Sequence, residues 1–432
     1  MDPLSSTCDA IVVGTGPGGA ATARALARTG ASVLVLEQGS AAPLRGTLGQ
    51  MATMAMPGRG AWLHRDASLL VSGTTVGGSS ALNFATAAAP PLAMFAAHGI
   101  DLAPALAALR TELPLAPLPD RLVGPMAARL MTAARGAGFA WEKLDKMIRP
   151  AACRSGCWRC VYGCPFGAKW SARDFVDEAR KHGAVLLDRS RVLRVLMEDG
   201  RAAGVAFMRD GARHTVRAPL VVLAAGGIQS PRLLHASGLR PRHASFFSDP
   251  VVAVMGTVDD LDGGAEVPMA AGASFHAQGV SLADLTLPRP MYQAFALQAG
   301  RIDRLGAHAR TLSVMVKIRD DVGGRIGPRW VDKRLTKGDR ARFDHGVAMA
   351  RTILEQAGAH HIFATHHFAA HPGGSVPIGA AHGVDGALRA APGLHVCDAS
   401  VIPGAWGLPP TLTLLCLGQR LGESISSGAA SR

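Results

Sequence analysis

The sequence predicts an α/β fold in which a Rossmann-like domain is interleaved with an α+β domain. Residues 9–39 place a glycine-rich turn and an alanine-rich helix between two apolar strands, which is the pattern of a parallel βαβ unit. Residues 310–343 predict a strand, a turn, a second strand and a helix, as expected for an antiparallel sheet with a covering helix. Hydrophobic residues make up 48% of the 432 residues and 51 are glycine, a composition that suits a loop-rich α/β protein with a large ligand.

The N-terminal unit carries the glycine spacing of a dinucleotide-binding turn. Gly14 permits the tight turn, Gly16 lets a pyrophosphate approach the backbone, and Gly19 lets the helix at 20–28 pack closely on the strand. The N-terminus of that helix offers N–H groups and a positive dipole end to the phosphates. Glu37 ends the second strand, where a carboxylate holds ribose hydroxyls and disfavours the 2′-phosphate of NADP. The turn therefore predicts a nucleotide site but does not separate FAD from NAD.

Four of the seven cysteines fall within twelve positions, in the pattern C-x3-C-x2-C-x3-C-P. They are Cys153, Cys157, Cys160 and Cys164. The N-terminal residues show no export leader, so structural disulfides are disfavoured and a metal or a cluster becomes a candidate. Three interpretations remain open at this stage: an iron–sulfur cluster, a structural zinc site, and free thiols. We expect the cluster, with zinc as the alternative.

The net charge of +13 does not predict a nucleic-acid-binding protein. The basic residues are scattered, and no helix-turn-helix, zinc-finger or RNA-binding signature is present. A basic surface also attracts an acidic redox partner or an anionic membrane. No apolar run reaches the roughly 20 residues that span a bilayer. We expect a cytoplasmic protein that can associate peripherally with a membrane.

Four further segments carry a family resemblance. They are VGGSSALNFA (76–85), PLVVLAAGGIQSPRLLHASGL (219–239), AHPGGSVPIG (370–379) and GLHVCDASVIPGAWGLPPTLTLLCLG (393–418). In this order the sequence resembles the glucose–methanol–choline (GMC) family of FAD oxidoreductases. The cysteine-rich insert with residues 167–184 is most similar to the branch that contains long-chain alcohol oxidases. The resemblance implies oxidation of an alcohol by hydride transfer to flavin N5.

The resemblance also implies which residues contact FAD. It places Val192 near the adenine, Asp398 by the pyrophosphate or ribityl chain, and Pro410 and Thr411 at the pyrimidine edge of the flavin. The remaining implied contacts belong to the two glycine-rich loops and the end of the second strand: Gly14, Gly16, Gly19, Glu37, Gly77, Gly78, Ser79 and Asn83.

A division of the chain into domains follows from the same resemblance. We expect an FAD-binding domain built from residues 1–90, 165–240 and 375–432. Residues 91–164 form a cap or linker that carries the cysteine-rich insert. Residues 241–374 form a substrate-binding domain whose antiparallel sheet roofs the flavin.

The expected catalytic base is His371, which aligns with the active-site histidine of the family. The ordinary pKa of histidine, about 6.5, suits removal of a hydroxyl proton near neutral pH. Pro409 occupies the position of the family's second catalytic residue, where it offers no side-chain hydrogen bond. We therefore expect a neighbouring histidine, His367, to assist. The histidine-rich tract at 360–367 matches no standard zinc spacing, so metal binding is not expected there.

Together these observations predict a dehydrogenase acting on a small hydrophobic alcohol of the long-chain, terpenoid or steroid type. Its electrons would leave through the cluster to a redox partner protein or a quinone. Two alternatives stay open. One is a flavin-dependent desaturase or isomerase of a carbonyl-activated substrate, which Pro409 favours. The other is a non-catalytic electron-transfer flavoprotein subunit.

Overall fold

The structure is a computed structural model that describes residues 7–64, 66, 68–240 and 242–430. Residues 1–6, where the expectation about an export leader begins, lie outside the described range. The helices are α1 (Pro17–Arg28), α2 (Leu48–Met54), α3 (Leu92–Ala96), α4 (Ala103–Glu112), α5 (Pro125–Gly136), α6 (Ala172–Lys181), α7 (Gly226–Ala236), α8 (Arg289–Gln298), α9 (Lys337–Gln356) and α10 (Thr411–Ala430).

A six-stranded sheet forms the nucleotide-binding half of the fold, and its strands are parallel except at one edge. In spatial order the strands are β22 (Arg389–Ala391), β23 (Leu394–Val396), β12 (Leu220–Leu223), β1 (Ala10–Val13), β2 (Val33–Leu36) and β8 (Val185–Leu187). β1 is central, with Ala10 opposite Val33 on one side and Leu220 on the other. All four β1 side chains are buried, as expected for a strand covered on both faces. Helix α1 packs against both α6 and α10 beside this sheet.

A nine-stranded mixed sheet forms the second half. Its order is β3 (Ala61–Leu63), β4 (Leu69–Val71), β21 (Phe368–Ala369), β14 (Pro250–Thr257), β17 (Thr311–Ile318), β16 (Val280–Asp284), β15 (Ala271–Phe275) and β6 (Glu142–Lys143), with β20 (His360–Ala364) also paired to β14. Its pairs are antiparallel except that β4 runs parallel to β21. Helices α5 and α9 cover one face and bury an aliphatic core there.

Three smaller sheets complete the fold. They are β9 (Arg191–Glu198), β10 (Arg201–Arg209) and β11 (Ala212–Arg217); β13 (Ala244–Phe246), β18 (Gly323–Ile326) and β19 (Val331–Asp332); and β5 (Leu115–Pro117) with β7 (Asp145–Met147). The segment at 310–343 thus holds the predicted strands and helix, but only β17 joins the large sheet. The second predicted strand, β18, pairs with β13 and β19 instead. The division into three domain segments remains a prediction.

Two features of the helices bear on the sequence predictions. α9 begins at Lys337, within the segment that predicts a helix, because Thr336 and Asp339 form a reciprocal capping box. Within the ranges that the structure describes, no helix is long and apolar enough to cross a bilayer.

Candidate active site

The turn between β1 and α1 is shaped by its glycines. Gly14 has φ +101°, and a Cβ there would lie 2.3 Å from the carbonyl oxygen of Ala224 on the adjacent chain segment. A Cβ on Gly19 would lie 2.3 Å from the Gly14 oxygen, so both glycines allow the helix and the strands to pack closely. Gly16, in contrast, has no protein atom within 4 Å of its would-be Cβ. It precedes α1 and faces open space, where a phosphate can approach the backbone.

Glu37 directly follows β2, is buried, and accepts hydrogen bonds from Thr15 and Gly39 with both carboxylate oxygens. One carboxylate oxygen accepts from the N–H and the hydroxyl of Thr15 at 3.1 and 2.6 Å, and the other accepts from the Gly39 N–H at 2.8 Å. Burial raises the pKa of Glu37, and these hydrogen bonds oppose the shift. Thr15 also accepts from the Gly77 N–H at 3.0 Å. One threonine thus joins the first glycine turn, the acidic residue and the second glycine loop.

Asp398 is a second buried carboxylate at this edge of the sheet. One oxygen accepts from the Gly226 N–H at 2.8 Å and the Ser230 hydroxyl at 2.5 Å, while the other accepts from the Ser400 N–H at 2.8 Å. Burial raises its pKa against these hydrogen bonds. The carboxylate therefore positions the start of α7 against the loop that leads to α10, at the carboxyl ends of β12 and β23.

A cavity of about 1070 Å³ opens over these loops. Its walls include most of the residues predicted to bind the cofactor: Gly14, Gly16, Glu37, Gly78, Ser79, Asn83, Val192, Asp398, Pro410 and Thr411. Asn83 and Thr411 meet directly, with the amide nitrogen 3.3 Å from the hydroxyl. Gly19 and Gly77 lie behind the wall, where they support the turns. The open face at Gly16 and the size of the cavity fit an FAD molecule lying along this edge of the sheet.

His371 lies in the same cavity, beside an aspartate that the sequence did not indicate. Its Nδ1 is 3.5 Å from Oδ2 of Asp249, whose side chain is fully buried. Neither of these two buried atoms has a hydrogen-bond partner among the described residues. The other Asp249 oxygen accepts from the Gly407 N–H at 2.7 Å, which holds the carboxylate in place. Catalytic hydrogen bonds are often long before substrate binds, so the arrangement suits a base and its orienting acid.

Lys317 adds a cation to this part of the cavity. It lies on β17 directly opposite Val251 of β14, only two residues beyond Asp249. Its side chain is buried, burial lowers the pKa of its ammonium, and the negative charge of Asp249 opposes that shift. Pro409 also lines the cavity, so the position left without a hydrogen-bonding side chain faces the same space. Lys317 gave no sequence signal, because it is a single lysine within a strand.

The roof of the cavity is apolar. Side chains from the large sheet and from α8 line it, among them Val251, Met269, Leu285, Phe295, Met315 and Phe368. Phe295 and Phe368 stack with ring centroids 5.1 Å apart. Such a surface binds an apolar ligand by burial and leaves the polar groups near His371 to orient it.

His367 does not line this cavity. Its Nε2 instead lies 3.4 Å from Oδ2 of Asp66, on the neighbouring β3–β4 hairpin. Burial lowers the pKa of His367, with Asp66 opposing the shift. The group next to His371 is therefore Asp249 rather than the expected histidine.

The four predicted cysteines lie together in the loop that precedes α6, and all four are free thiols. Burial, together with the other three thiols, raises the pKa of Cys153 to about 11. Cys153 is therefore close enough to the other three thiols to interact with them electrostatically.

Two buried lysines face the cysteine loop. Lys146 is 0% exposed and donates to the carbonyl oxygens of Phe84, Pro268 and Met269 at 2.6–3.1 Å. Burial lowers its pKa to about 8, and the charges that oppose this shift come from Cys160, Asp284 and Cys153.

Lys169 is 5% exposed and joins the cysteine loop to the cofactor loop. Its ammonium donates to the carbonyl oxygens of Ala81, Asn83 and Cys160 at 2.8, 2.9 and 3.0 Å. Burial lowers its pKa to about 8, opposed by Cys160 and Cys164. Val161, next to Cys160, lines the cavity. The cysteine loop therefore packs directly behind the loop predicted to hold the flavin.

Comparison with known proteins agrees with the family resemblance described in the sequence analysis. The N-terminal GMC oxidoreductase family model matches residues 8–257, and the C-terminal GMC oxidoreductase model matches residues 325–418. An uncharacterised GMC-type oxidoreductase of Mycobacterium tuberculosis is 29% identical over 96% of this chain and 75% of its own length. The long-chain-alcohol oxidase FAO1 of Arabidopsis thaliana is 24% identical over 98% of this chain and 67% of its own length.

A solved structure shows the same fold. Pyridoxine 4-oxidase from Mesorbium loti superposes with a TM-score of 0.75 over 97% of this chain and 99% of its own. At 19% sequence identity, this similarity concerns the fold alone.

Proposed function

Because the chain belongs to the GMC oxidoreductase family, we propose that it is a dehydrogenase that oxidises a hydrophobic alcohol and passes the electrons to a protein or quinone acceptor. The family assignment makes it an FAD-dependent oxidoreductase acting on CH–OH groups. Its relatives include long-chain-alcohol oxidases, in agreement with the resemblance seen in the sequence. The substrate class, the acceptor and the electron route are the parts proposed.

The observation that carries the proposal is the pair formed by His371 and Asp249 on the wall of the cavity. With Asp249 facing Nδ1, a hydrogen on that nitrogen leaves the Nε2 lone pair free to accept the hydroxyl proton of a substrate. Asp249 then stabilises the imidazolium that forms, because its carboxylate lies next to the new positive charge. Bound FAD would supply the hydride acceptor. The alcohol loses a proton and a hydride and becomes a carbonyl compound.

Lys317 supports the same step by electrostatics. Negative charge grows on the substrate oxygen as its proton leaves, and a buried ammonium on the cavity wall stabilises that charge. This role compensates for Pro409, which donates no hydrogen bond. Lys317 is therefore the proposed second polar contact to the substrate oxygen.

The apolar roof favours a hydrophobic alcohol over a sugar. Val251, Met269, Leu285, Met315 and Phe368 offer no hydrogen bonds to a polyhydroxylated substrate, whereas an alkyl, terpenoid or steroid skeleton gains free energy by burial against them. The alcohol group would reach His371 while the apolar body lies under the sheet.

The electron route rests on the cysteine loop. An iron–sulfur cluster held by Cys153, Cys157, Cys160 and Cys164 would supply a one-electron path away from the flavin. The cysteine loop is close to the loop predicted to hold the flavin, because Lys169 donates hydrogen bonds to both.

The charge of the surrounding residues supports an anionic metal centre at these cysteines. Lys146 and Lys169 bury two ammonium groups whose hydrogen-bond acceptors are uncharged. A buried ammonium is costly unless an opposite charge lies nearby. The charges that bear on both lysines come mainly from the cysteines, so thiolates bound in an anionic centre would balance them.

The net charge of the chain supports the proposed electron acceptor and the proposed membrane association. A net charge of +13 attracts an acidic redox protein or the anionic surface of a membrane that carries a quinone. We propose that the enzyme works in the cytoplasm and associates peripherally with the membrane.

The substrate proposal is tested by anaerobic reduction of the bound flavin. The FAD-loaded protein is mixed with a long-chain primary alcohol, a terpenoid alcohol, a steroid alcohol and glucose, and flavin absorbance is followed. We expect bleaching by at least one hydrophobic alcohol and no bleaching by glucose. His371→Gln should hold FAD but lose the bleaching. Reduction by glucose alone would contradict the proposal.

The cluster is tested separately by iron and acid-labile sulfide analysis of anaerobically purified protein, with electron paramagnetic resonance before and after reduction. The matched comparison is Cys160→Ser against Cys416→Ser, a buried cysteine of α10 remote in sequence from the loop. We expect iron and sulfide in the wild type and in Cys416→Ser, and their loss in Cys160→Ser. Zinc in place of iron, or no metal at all, would refute the cluster but leave the alcohol oxidation standing.

A further inference from the structure

A group of metal-ligating side chains lies outside the cavity, between the β3–β4 hairpin and β21. One carboxylate oxygen of Asp66 and one ring nitrogen each of His366 and His367 lie within 4.8 Å of one another. The three residues meet because β4 runs parallel to β21, with Leu69 opposite Phe368. Three hundred positions of sequence thus separate the carboxylate from the two histidines.

Two atoms of the group have the spacing of two metal ligands. Oδ2 of Asp66 and Nε2 of His367 are 3.4 Å apart. Two ligand atoms of a tetrahedral zinc ion lie about 3.3 Å apart when each is 2.0–2.1 Å from the metal. The spacing of this oxygen and nitrogen therefore matches two ligands of one ion.

The outer contacts hold the ligands in the orientation that a metal requires. Ser68 donates to Asp66 Oδ1 from its N–H at 3.0 Å and its hydroxyl at 2.6 Å, which leaves Oδ2 free to face the histidines. Nε2 of His366 lies 2.9 Å from the carbonyl oxygen of Asp66. A hydrogen on Nε2 that is donated to this carbonyl leaves the lone pair on Nδ1. Metal-bound histidines commonly make such a bond with the ring nitrogen that does not bind the metal.

A third histidine, His64, also lies near His367, but its Nδ1 is not free to bind a metal. Its Nδ1 accepts the Lys333 N–H at 2.8 Å, so the hydrogen of the neutral ring is on Nε2. The site therefore has two imidazoles and one carboxylate, with a remaining position for water. Borderline metals such as Zn²⁺ prefer this ligand set, whereas Mg²⁺ and Ca²⁺ prefer oxygen alone.

We propose that Asp66, His366 and His367 bind one Zn²⁺ ion. The ion joins the β3–β4 hairpin to β21, and both elements contribute side chains to the cavity, among them Trp62 and Phe368. The ion therefore stabilises one wall of the cavity from the side that faces away from the cavity. The site is independent of the proposed alcohol oxidation and of the cysteine loop.

The test is Zn²⁺ binding by equilibrium dialysis, with the full-length FAD-loaded chain purified without a histidine tag. We expect one Zn²⁺ site, whose affinity Asp66→Asn and His367→Gln each lower by at least about tenfold. Mutation of a residue that only hydrogen-bonds a metal ligand already lowers metal affinity by about 10–100-fold. The matched control is His360→Gln. His360 belongs to the same tract and lies 3.6 Å from Asp259, but it is outside the ligand group. The His360→Gln protein should bind Zn²⁺ with the affinity of the wild type.

Replacement of Zn²⁺ by Co²⁺ separates this site from the cysteine loop, because thiolate ligation adds a charge-transfer absorption that histidine and carboxylate ligands lack. Bound Co²⁺ without that absorption supports the proposal. If Asp66→Asn fails to fold, as judged by circular dichroism and FAD content, His366→Gln takes its place. No saturable binding beyond the cysteines, or equal affinity in His367→Gln and His360→Gln, would overturn it.

Discussion

His371 Nδ1 and Asp249 Oδ2 face each other at 3.5 Å, two buried polar atoms with no other partner among the described residues. Asp249 has φ +49°, a left-handed conformation that costs free energy for most residues and less for Asp and Asn. Asp320 accepts the Asp249 N–H at 2.8 Å and helps to hold this conformation. The backbone thus maintains an unfavourable conformation at the position where the carboxylate meets the histidine.

Asp249→Asn is expected to lower kcat by about 10²-fold or more, because a positioned acid–base pair contributes roughly 10²–10⁴-fold. Asparagine tolerates the same φ, so folding and FAD content should stay unchanged. Stopped-flow reduction of the flavin measures the effect, with KM expected to change little. Equal rates in variant and wild type would remove Asp249 from the mechanism.

The glycine turn offers a matched pair of variants. Gly16→Ala adds a Cβ with no protein atom within 4 Å, whereas Gly14→Ala places one 2.3 Å from the Ala224 oxygen at φ +101°. We expect Gly16→Ala to keep the stability of the cofactor-free protein but to weaken FAD binding. Gly14→Ala should lower the free energy of unfolding itself, by roughly 2 kcal/mol or more. Urea unfolding and FAD titration measure the two effects. A Gly16→Ala protein with wild-type FAD affinity would contradict the placement of the phosphates.

Lys317→Met should slow flavin reduction by about tenfold or more, as expected when a group that stabilises developing charge is lost. Lys317→Arg keeps the positive charge and should retain more of the rate than Lys317→Met. The comparison separates charge from packing, because both replacements keep a long side chain. The single-turnover rate and the substrate KM are the measurements. If both variants lose the same activity, packing rather than charge explains the role of Lys317.

Asp284 predicts a pH dependence of stability. Its side chain is buried on β16, and burial raises its pKa from 3.8 to about 6. Between these values the folded protein binds more protons than the unfolded chain, so stability from this group is present at low pH and is lost as pH rises through about 6. The loss between pH 4 and pH 7 should be about 2 kcal/mol. Asp284→Asn should flatten that part of the profile in urea unfolding. An unchanged profile would show that Asp284 does not titrate in this range.

The predictable parts of this protein are those encoded in short segments. The strand, turn and helix around Gly14 to Gly19 follow from local sequence, and most of the predicted cofactor residues line one cavity. Asp249 and Lys317 left no local pattern, because Asp249 stands alone just before β14, Lys317 stands alone on β17, and only the antiparallel pairing of these strands brings the two together. The same reason applies to Asp66, whose meeting with His366 and His367 depends on a long-range pairing. Sequence spacing describes ligands on one segment and misses sites assembled between segments.

The bridge made by Lys169 has a consequence for cofactor retention. Its ammonium binds the carbonyl of Cys160 and those of Ala81 and Asn83, so the thiol loop and the flavin loop share one buried cation. Oxidation or chelation that opened the thiol loop would remove one of these acceptors and loosen Asn83. The oxidation or metal-binding state of the cysteine loop would then control how tightly the enzyme binds FAD.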